Sequence, residues 1–244
     1  MIPDLPWLLF AVALLTGGLV KGALGVGLPL VAVPLLSLGM PPHLAIALLV
    51  VPVLASNFWQ AVEGGRLVPS LQRFGGLIAA QFLATVLTVR MTLALSASQL
   101  SAMLAGAVLL AVALMAWKPT LQISASRERA VGVGVGLLSG LLGGVSSLTG
   151  PVIITYLMAL RLRRDEFVGS ISIIYLSAAL PLYGAMLLFG RLGPTELTGS
   201  LLALVPMAAG LLAGKALRQH LDDNRFRRVL LVFLIVLAIL LLLK

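Results

Sequence analysis

The sequence predicts an all-α polytopic membrane protein, and three observations support this fold class. Of the 244 residues, 60% are hydrophobic and only 10% are charged, whereas a soluble domain is usually about 25% charged. Runs of roughly 18 or more apolar residues, the length that crosses a bilayer core as a helix, recur along the chain. Two of the longest runs are interrupted by glycine clusters that end in a proline. We therefore expect a single transmembrane domain over residues 1–244, with no soluble module.

Composition also narrows the classes of function. The chain has no cysteine, which excludes disulfides, a thiol relay and a thiolate metal site. Its formal net charge of +9 would suggest a nucleic-acid ligand in a soluble protein, but in a membrane protein the basic residues of loops orient the chain. We therefore predict no nucleic-acid partner. The start of the chain lacks a basic segment and a cleavage signature, so we expect no removed signal peptide.

The first broken run extends over 34 residues, from Leu5 to Leu38. A straight helix of that length would be about 50 Å long, well over the ~30 Å hydrocarbon core. The run is interrupted by a lysine, three glycines and a proline: Lys21, Gly22, Gly25, Gly27 and Pro29. Pro29 suits the first turn of a new helix, where its missing N–H costs nothing. We predict a hairpin with a helix from about Leu5 to Val20, an unwound tip, and a half-helix from Pro29 to Leu38.

A second broken run, from Ala130 to Leu160, repeats this pattern and ends its glycine-rich stretch at Pro151. Six further spans complete a set of eight hydrophobic segments, which gives up to ten helices. They are Leu44–Ala61, Phe74–Val89, Leu100–Trp117, Phe167–Phe189, Leu197–Ala213 and Val229–Leu243. The sequence is compatible both with re-entrant hairpins and with two short full spans in each broken run.

The two broken runs superpose without a gap when the chain is shifted by 122 residues, half its length. The shift pairs two glycines and a proline with residues of the same type: Gly18 with Gly140, Gly22 with Gly144, and Pro29 with Pro151. Interrupted segments at corresponding positions in two halves of a membrane protein point to the binding site of a transporter. We predict one repeat over about residues 1–122 and a second over about 123–244, each with a broken hairpin and three transmembrane helices.

The distribution of lysines and arginines among the loops distinguishes between two membrane topologies. If each broken run is one simple crossing, alternate loops carry seven and nine lysines and arginines, which gives no orientation. If each run returns to its own side, 13 of the 17 cations gather on one side and three on the other, as the positive-inside rule requires. We therefore predict hairpins, with the 13 cations in the cytoplasm and both termini outside it. Each half then makes an odd number of crossings, so the second repeat is inverted relative to the first.

The tips of the two hairpins are expected to meet near the midplane and to bind an anion. A helix start carries about half a positive charge and unpaired N–H groups, and Lys21 adds a full charge. All eight acidic residues lie in loops or at the ends of spans, so a bound anion is the natural partner of Lys21. The predicted substrate-binding residues come from both hairpins: Lys21, Gly22, Gly25, Gly27, Pro29, Ser146, Ser147, Thr149, Gly150 and Pro151. The candidates for lining the path are Asn57, Gln60 and Tyr175. We predict no catalytic residue, metal site or cofactor.

Structural interpretations of the same residues stay open. Lys21 can extend its charge to a membrane surface, and glycines in membrane helices often serve packing. Ser146, Ser147 and Thr149 can cap the half-helix at Pro151. Besides a carrier, an anion-selective channel and a membrane assembly factor without transport are alternative functions.

The glycine-rich motifs resemble the TauE/SafE sulfite-exporter (TSUP) proteins. The opening of these proteins is similar to Gly18-Leu-Val-Lys21-Gly22-Ala-Leu-Gly25-Val-Gly27, followed by Val33-Pro34-Leu35-Leu36. Their second signature is similar to Gly140-Leu-Leu-Gly143-Gly144…Gly150-Pro151. The resemblance covers essentially the whole chain. It implies transport of small sulfur-containing anions, such as sulfite or organosulfonates, across the cytoplasmic membrane.

The anion site and the resemblance together predict a secondary carrier that works by alternating access. Export is the expected direction, because an anion that leaves a negative cytoplasm moves with the membrane potential. The expected partners are a small anionic substrate and the lipid bilayer of the inner (cytoplasmic) membrane. The identity of the anion, the coupling ion and a homodimeric assembly are left open.

Overall fold

The computed structural model describes residues 7–65, 67–116, 122–217 and 223–244. This part of the chain folds into eleven α-helices and contains no strand. In chain order they are α1 (Trp7–Leu24), α2 (Leu28–Ser37), α3 (Pro42–Ala47), α4 (Val50–Gly64), α5 (Leu67–Thr92), α6 (Ala97–Ala116), α7 (Glu128–Ser146), α8 (Gly150–Ala159), α9 (Arg164–Leu188), α10 (Pro194–Leu217) and α11 (Asp223–Leu242). Seven spans within the described ranges are long and apolar enough to cross a membrane. The prediction of an all-α polytopic membrane protein is therefore confirmed.

The first predicted broken run consists of two helices, α1 and α2, separated by residues 25–27. Gly25 and Gly27 have φ angles of 81° and 103°, in the left-handed region that only a residue without a Cβ enters at little cost. Pro29 lies in the first turn of α2, where it needs no hydrogen-bond acceptor. Two glycines therefore allow the chain to leave α1, and a proline allows it to start α2.

The predicted end of the first helix at Val20 is wrong. Helix α1 continues to Leu24 and carries Lys21 in its last turn, so Lys21 and Gly22 are helical. The reason lies in the packing of α1, because a Cβ at Gly18 or at Gly22 would collide with the backbone of α10. Close helix contact offsets the helix-propensity cost of glycine, which is about 1 kcal/mol per residue.

The second broken run also consists of two helices, α7 and α8, separated by residues 147–149. Ser147 ends α7 in a left-handed conformation with a φ of 61°, and its N–H donates to the carbonyl of Gly143 over 2.8 Å. The N–H of Leu148 donates to Ser146 Oγ over 3.2 Å. Pro151 lies in the first turn of α8. Side-chain and backbone bonds thus satisfy the end of α7 without a glycine at its C-terminal cap.

The predicted span Leu44–Ala61 is divided into α3 and α4. Pro52 has no N–H to donate to the carbonyl of Leu48, and its ring disfavours a continuous helix at that point. The N–H of Val51 instead donates to Ser200 Oγ of α10 over 2.9 Å. The proline and the partner on α10 explain why the helix restarts at residue 50.

Hydrogen bonds between helix termini define one end of the bundle, called here the Lys244 end. Lys244 Nζ donates to the carbonyl oxygen of Ser37, the last residue of α2, over 2.8 Å. Arg191 Nη2 donates to the carbonyl oxygen of Thr92, the last residue of α5, over 3.3 Å. His43, which follows α2, lies beside Thr92 and Arg191, so helices α2, α5 and α11 end on the same side, next to the connection between α9 and α10.

The opposite end is called the basic end. Arg73 Nε lies 2.6 Å from Glu128 Oε1, which joins the start of α5 to the start of α7. The N–H of Ile123 donates to the carbonyl of Ala159, the last residue of α8, over 3.1 Å. Several arginines lie in or beside these connections: Arg73, Arg127, Arg129, Arg161 and Arg163.

Helices α2 and α8 thus end at opposite ends of the bundle. Each has ten residues and is about 15 Å long, half of the ~30 Å hydrocarbon core. The two breaks from which they start therefore lie about 15 Å inside the ends of the bundle at which these helices finish. The bounds of these helices, 28–37 and 150–159, differ by the 122 residues of the proposed repeat. The inverted relation of two complete repeats stays a prediction.

Two seams of small residues hold the bundle together. In the first, Gly210 and Gly214 of α10 pack against the backbone of α1. In the second, Gly136, Gly140 and Gly144 of α7 pack against α5. Each seam joins a helix of the first half of the chain to a helix of the second, so the halves interlock around the breaks.

Candidate functional site

A cavity of about 70 Å³ lies where the two breaks meet. Gly27 and Pro29 from the first break line it together with Thr149, Gly150 and Pro151 from the second. A buried water needs about 10–15 Å³ by this measure, so the cavity has room for about five waters or one small polar solute. The sequence prediction that the two breaks lie close together agrees with this geometry.

The two helices that start at the cavity have no side-chain caps. Gly27 precedes α2, Thr149 precedes α8, and neither makes a side-chain hydrogen bond to the first turn. The first turn of a helix leaves N–H groups without intrahelical partners, and each start carries roughly half a positive charge. Both partial charges therefore face the same small space.

Lys21 brings a full positive charge to the wall of the cavity. Its side chain is only 4% exposed, and Nζ donates to Oδ1 of Asn57, on α4, over 2.7 Å. Asn57 is 5% exposed and is neutral. Among the described residues, no carboxylate forms an ion pair with Lys21. The ammonium has three N–H groups, so at least part of its donor capacity is available to a ligand.

Helix α4 also holds the first break through a second amide. Gln60 Nε2 donates to the carbonyl oxygen of Gly25 over 3.3 Å. Gln60 lies one turn after Asn57, on the same face of α4. The two amides of one helix thus contact both the last turn of α1 and the unwound residues that follow it.

A buried tyrosine hydroxyl lies beside the second break. Tyr175 of α9 lines the cavity, and its hydroxyl has no hydrogen-bond partner within the described part of the chain. A Cβ at Gly150 would lie 3.1 Å from this hydroxyl, so glycine allows the close approach. An unpartnered buried hydroxyl costs free energy, and a polar ligand in the cavity would remove that cost.

Nine of the thirteen residues predicted from the sequence line the cavity. They are Lys21, Gly27, Pro29, Asn57, Ser147, Thr149, Gly150, Pro151 and Tyr175. The other four lie beside it and have packing or hydrogen-bonding roles. Gly22 packs on α10, Ser146 Oγ donates to the carbonyl of Leu142 over 2.6 Å, and Gln60 bonds to Gly25.

The sequence did not predict the apolar wall of the cavity. Part of that wall comes from α4, α6 and α9, which contribute Val53, Met115, Ala178, Ala179 and Leu182. An apolar residue in an apolar helix carries no local signal of its position. The 122-residue shift offered the only indication, because it relates Val53 to Tyr175 and Ala179 to Asn57.

The donor set of the cavity suits an anion. The polar side chains that line it are one ammonium, one amide and three hydroxyls, all of which can donate hydrogen bonds, and no aspartate, glutamate, histidine or cysteine is among the lining residues. No group of three or more metal-ligating side chains occurs in the described ranges. The apolar walls lower the local dielectric constant, which strengthens the interaction of these donors with a bound charge.

Comparison with known proteins adds one match. No curated protein and no solved structure matches the chain. The family model described as sulfite exporter TauE/SafE matches residues 9–241, nearly the whole chain and both broken runs. The chain therefore belongs to the TauE/SafE sulfite-exporter family of membrane transporters.

Proposed function

We propose that the protein is a secondary transporter that exports a small sulfur-containing anion, such as sulfite or an organosulfonate, across the cytoplasmic membrane. The anion binds in the central cavity, between the starts of α2 and α8. The single observation that carries this proposal is Lys21, a buried cation whose described partner is the neutral amide of Asn57.

The energetics of Lys21 favour an anionic ligand. A lysine at the centre of a bilayer costs about 2.5–3.5 kcal/mol on insertion scales. One neutral acceptor at 2.7 Å lowers that cost by about 1.5–3 kcal/mol, the net contribution of a hydrogen bond to a charged group, but it supplies no counter-charge. An anion in the cavity would supply the missing counter-charge and would also accept bonds from the two helix starts.

Orientation follows from the charges at the two ends. We place the basic end in the cytoplasm, in agreement with the positive-inside rule, and both chain termini outside it. A charge that crosses the membrane gains about 2.3 kcal/mol per 100 mV, so an anion leaving a negative cytoplasm needs no coupling ion. The lining residues include no carboxylate or imidazole that could carry a proton, which supports uniport.

The closed side of the cavity favours a carrier over a channel. Toward the Lys244 end the cavity is bounded by Leu30, Leu148 and Leu182, all of which are buried. Toward the basic end, Val26 and Ile154 line it and are partly exposed. Closure by buried side chains on one side agrees with alternating access, whereas a channel needs a continuous route.

The test is sulfite flux in proteoliposomes containing Lys21→Ala. We expect the anion affinity and the flux to fall at least tenfold, because a buried charge-assisted contact contributes more than about 1.4 kcal/mol. Lys215→Ala is the matched control, since Lys215 is an exposed lysine of α10 that does not line the cavity. Unchanged flux and affinity in the Lys21 variant would contradict the proposed site.

A further inference from the structure

We propose that a recess formed by His43, Thr92 and Arg191 is a second anion position, which the transported anion occupies between the central cavity and the Lys244 end. The inference rests on the proposed transport function. It adds a site that the predicted binding residues do not include, and it assigns a role to charged groups outside the central cavity.

The recess lies directly behind the central cavity. It is lined by His43 from the first turn of α3, by Thr92 at the end of α5 and by Arg191 between α9 and α10. Gly144 of α7 also lines it, while the preceding residue, Gly143, lines the central cavity. The last turn of α7 therefore borders both spaces, with two adjacent glycines at the boundary.

Two polar groups of the recess, on Arg191 and His43, have unused hydrogen-bonding capacity. Arg191 Nη2 donates to the carbonyl of Thr92 over 3.3 Å, and a guanidinium has four further N–H donors. His43 Nδ1 is buried and has no hydrogen-bond partner among the described residues. The one carboxylate nearby belongs to Glu196, whose Oε2 accepts the N–H of Gly193 over 2.8 Å and which does not line the recess. Arg191 therefore contributes the formal charge of the residues that line the recess, and that charge is positive.

The small volume of the recess is expected if the exit route of the anion is closed in this conformation. It measures about 20 Å³, room for one or two waters, against about 70 Å³ for the central cavity. Buried leucines close the central cavity on the same side. The described conformation thus holds the anion centrally, and movement of the last turn of α7 joins the two spaces so that the anion passes to Arg191.

The experiment measures flux and affinity separately, so that an effect on transport is distinguished from an effect on anion binding. Sulfite flux is measured in proteoliposomes, and the dissociation constant for sulfite is measured by calorimetry on the detergent-solubilised protein. Arg191→Gln keeps a donor for the Thr92 carbonyl but removes the charge, whereas Arg191→Lys keeps the charge. Arg90→Gln is the matched control, because Arg90 is an exposed arginine near the same end and does not line the recess.

We expect Arg191→Gln to lower the flux by about fivefold or more, the size of the change from a charge-assisted to a neutral hydrogen bond. The dissociation constant should stay within about twofold of the wild-type value, and Arg191→Lys should recover at least half of the flux. Arg90→Gln should behave as the wild type. If Arg191→Gln does not reach the membrane, His43→Gln gives the same readout, with a reduced flux and an unchanged dissociation constant expected.

Three results would overturn the inference while leaving the proposed function intact. They are wild-type flux in Arg191→Gln, equal losses in Arg191→Lys and Arg191→Gln, and a dissociation constant that weakens in parallel with the flux. The second would mean that the bond to Thr92 is structural, and the third that Arg191 acts on the central cavity. A wild-type protein that binds and transports no sulfite would instead overturn the proposed substrate, and this inference with it.

Discussion

The hydrogen-bonded pair of Lys21 and Asn57 supplies the charged group of the cavity and its described partner. Asn57 lies 36 residues further along the chain, and its Oδ1 accepts from Lys21 Nζ over 2.7 Å. A neutral acceptor positions the ammonium without neutralising it. Sequence reasoning identified both residues but not the contact, because hydrogen-bond partners on different helices depend on helix rotation and depth, which a single sequence does not encode.

Asn57→Asp tests whether the neutrality of this partner matters. The substitution is nearly isosteric and would give Lys21 an internal counter-ion, so we expect sulfite affinity to fall at least tenfold. The interaction of two unit charges at about 4 Å is about 4 kcal/mol at an effective dielectric constant of 20, enough to compete with a bound anion. Calorimetry on the purified protein measures the effect.

Asn57→Ala is the matched control for that measurement. It removes the hydrogen bond but leaves the charge of Lys21 available, so affinity should stay within about threefold of the wild-type value. Equal affinities of the Asp and Ala variants would mean that the charge of Lys21 does not contribute to anion binding.

At the scale of elements, the sequence predicted the cause of the helix breaks better than their exact positions. Glycines 25 and 27 interrupt the chain with positive φ angles, as expected from composition. Gly18 and Gly22 belong to the same cluster, yet both are helical and pack on α10. Local sequence does not distinguish a glycine that breaks a helix from one that admits a neighbouring helix, since that difference arises from tertiary contact.

The seam between α5 and α7 gives a testable case of this distinction. A Cβ at Gly140 would lie 2.6 Å from the carbonyl oxygen of Gln81 and 2.7 Å from Ala84 Cβ, so Gly140→Ala must push α5 and α7 apart. We expect a loss of about 1–3 kcal/mol in stability, the usual cost of overpacking. The measurement is the unfolding midpoint of the purified protein in detergent.

Gly134→Ala on the same helix is the matched control. A Cβ at Gly134 has no heavy atom within 4 Å, so the substitution should be neutral or stabilise α7 by up to about 1 kcal/mol. Equal effects at the two positions would argue that α7 does not pack on α5 in the way described.

At the scale of the whole molecule, interlocked halves place one cavity between two half-helices. Helix α2 reaches the cavity from the Lys244 end and α8 reaches it from the basic end. Composition and charge pattern predicted this arrangement because a membrane restricts a chain to a few topologies. The apolar wall of the cavity could not be predicted, since Val53 and Ala179 differ from lipid-facing residues only in their position within the bundle.

The orientation of the bundle in the membrane is a further prediction at this scale, and the absence of cysteine makes it simple to test. Ala125→Cys places an exposed thiol at the basic end, and Thr195→Cys places one near the Lys244 end. A membrane-impermeant thiol reagent applied to intact spheroplasts should label Thr195→Cys alone, and applied to inverted membrane vesicles it should label Ala125→Cys alone. Because 13 of 17 cations lie on the side of Ala125 in the hairpin topology, the reverse pattern would require the positive-inside rule to fail here. Labelling of both positions from one side would instead mean that the second broken run, the one that lies between Ala125 and Thr195, crosses the membrane completely, and α8 would then not approach the anion as half of a hairpin.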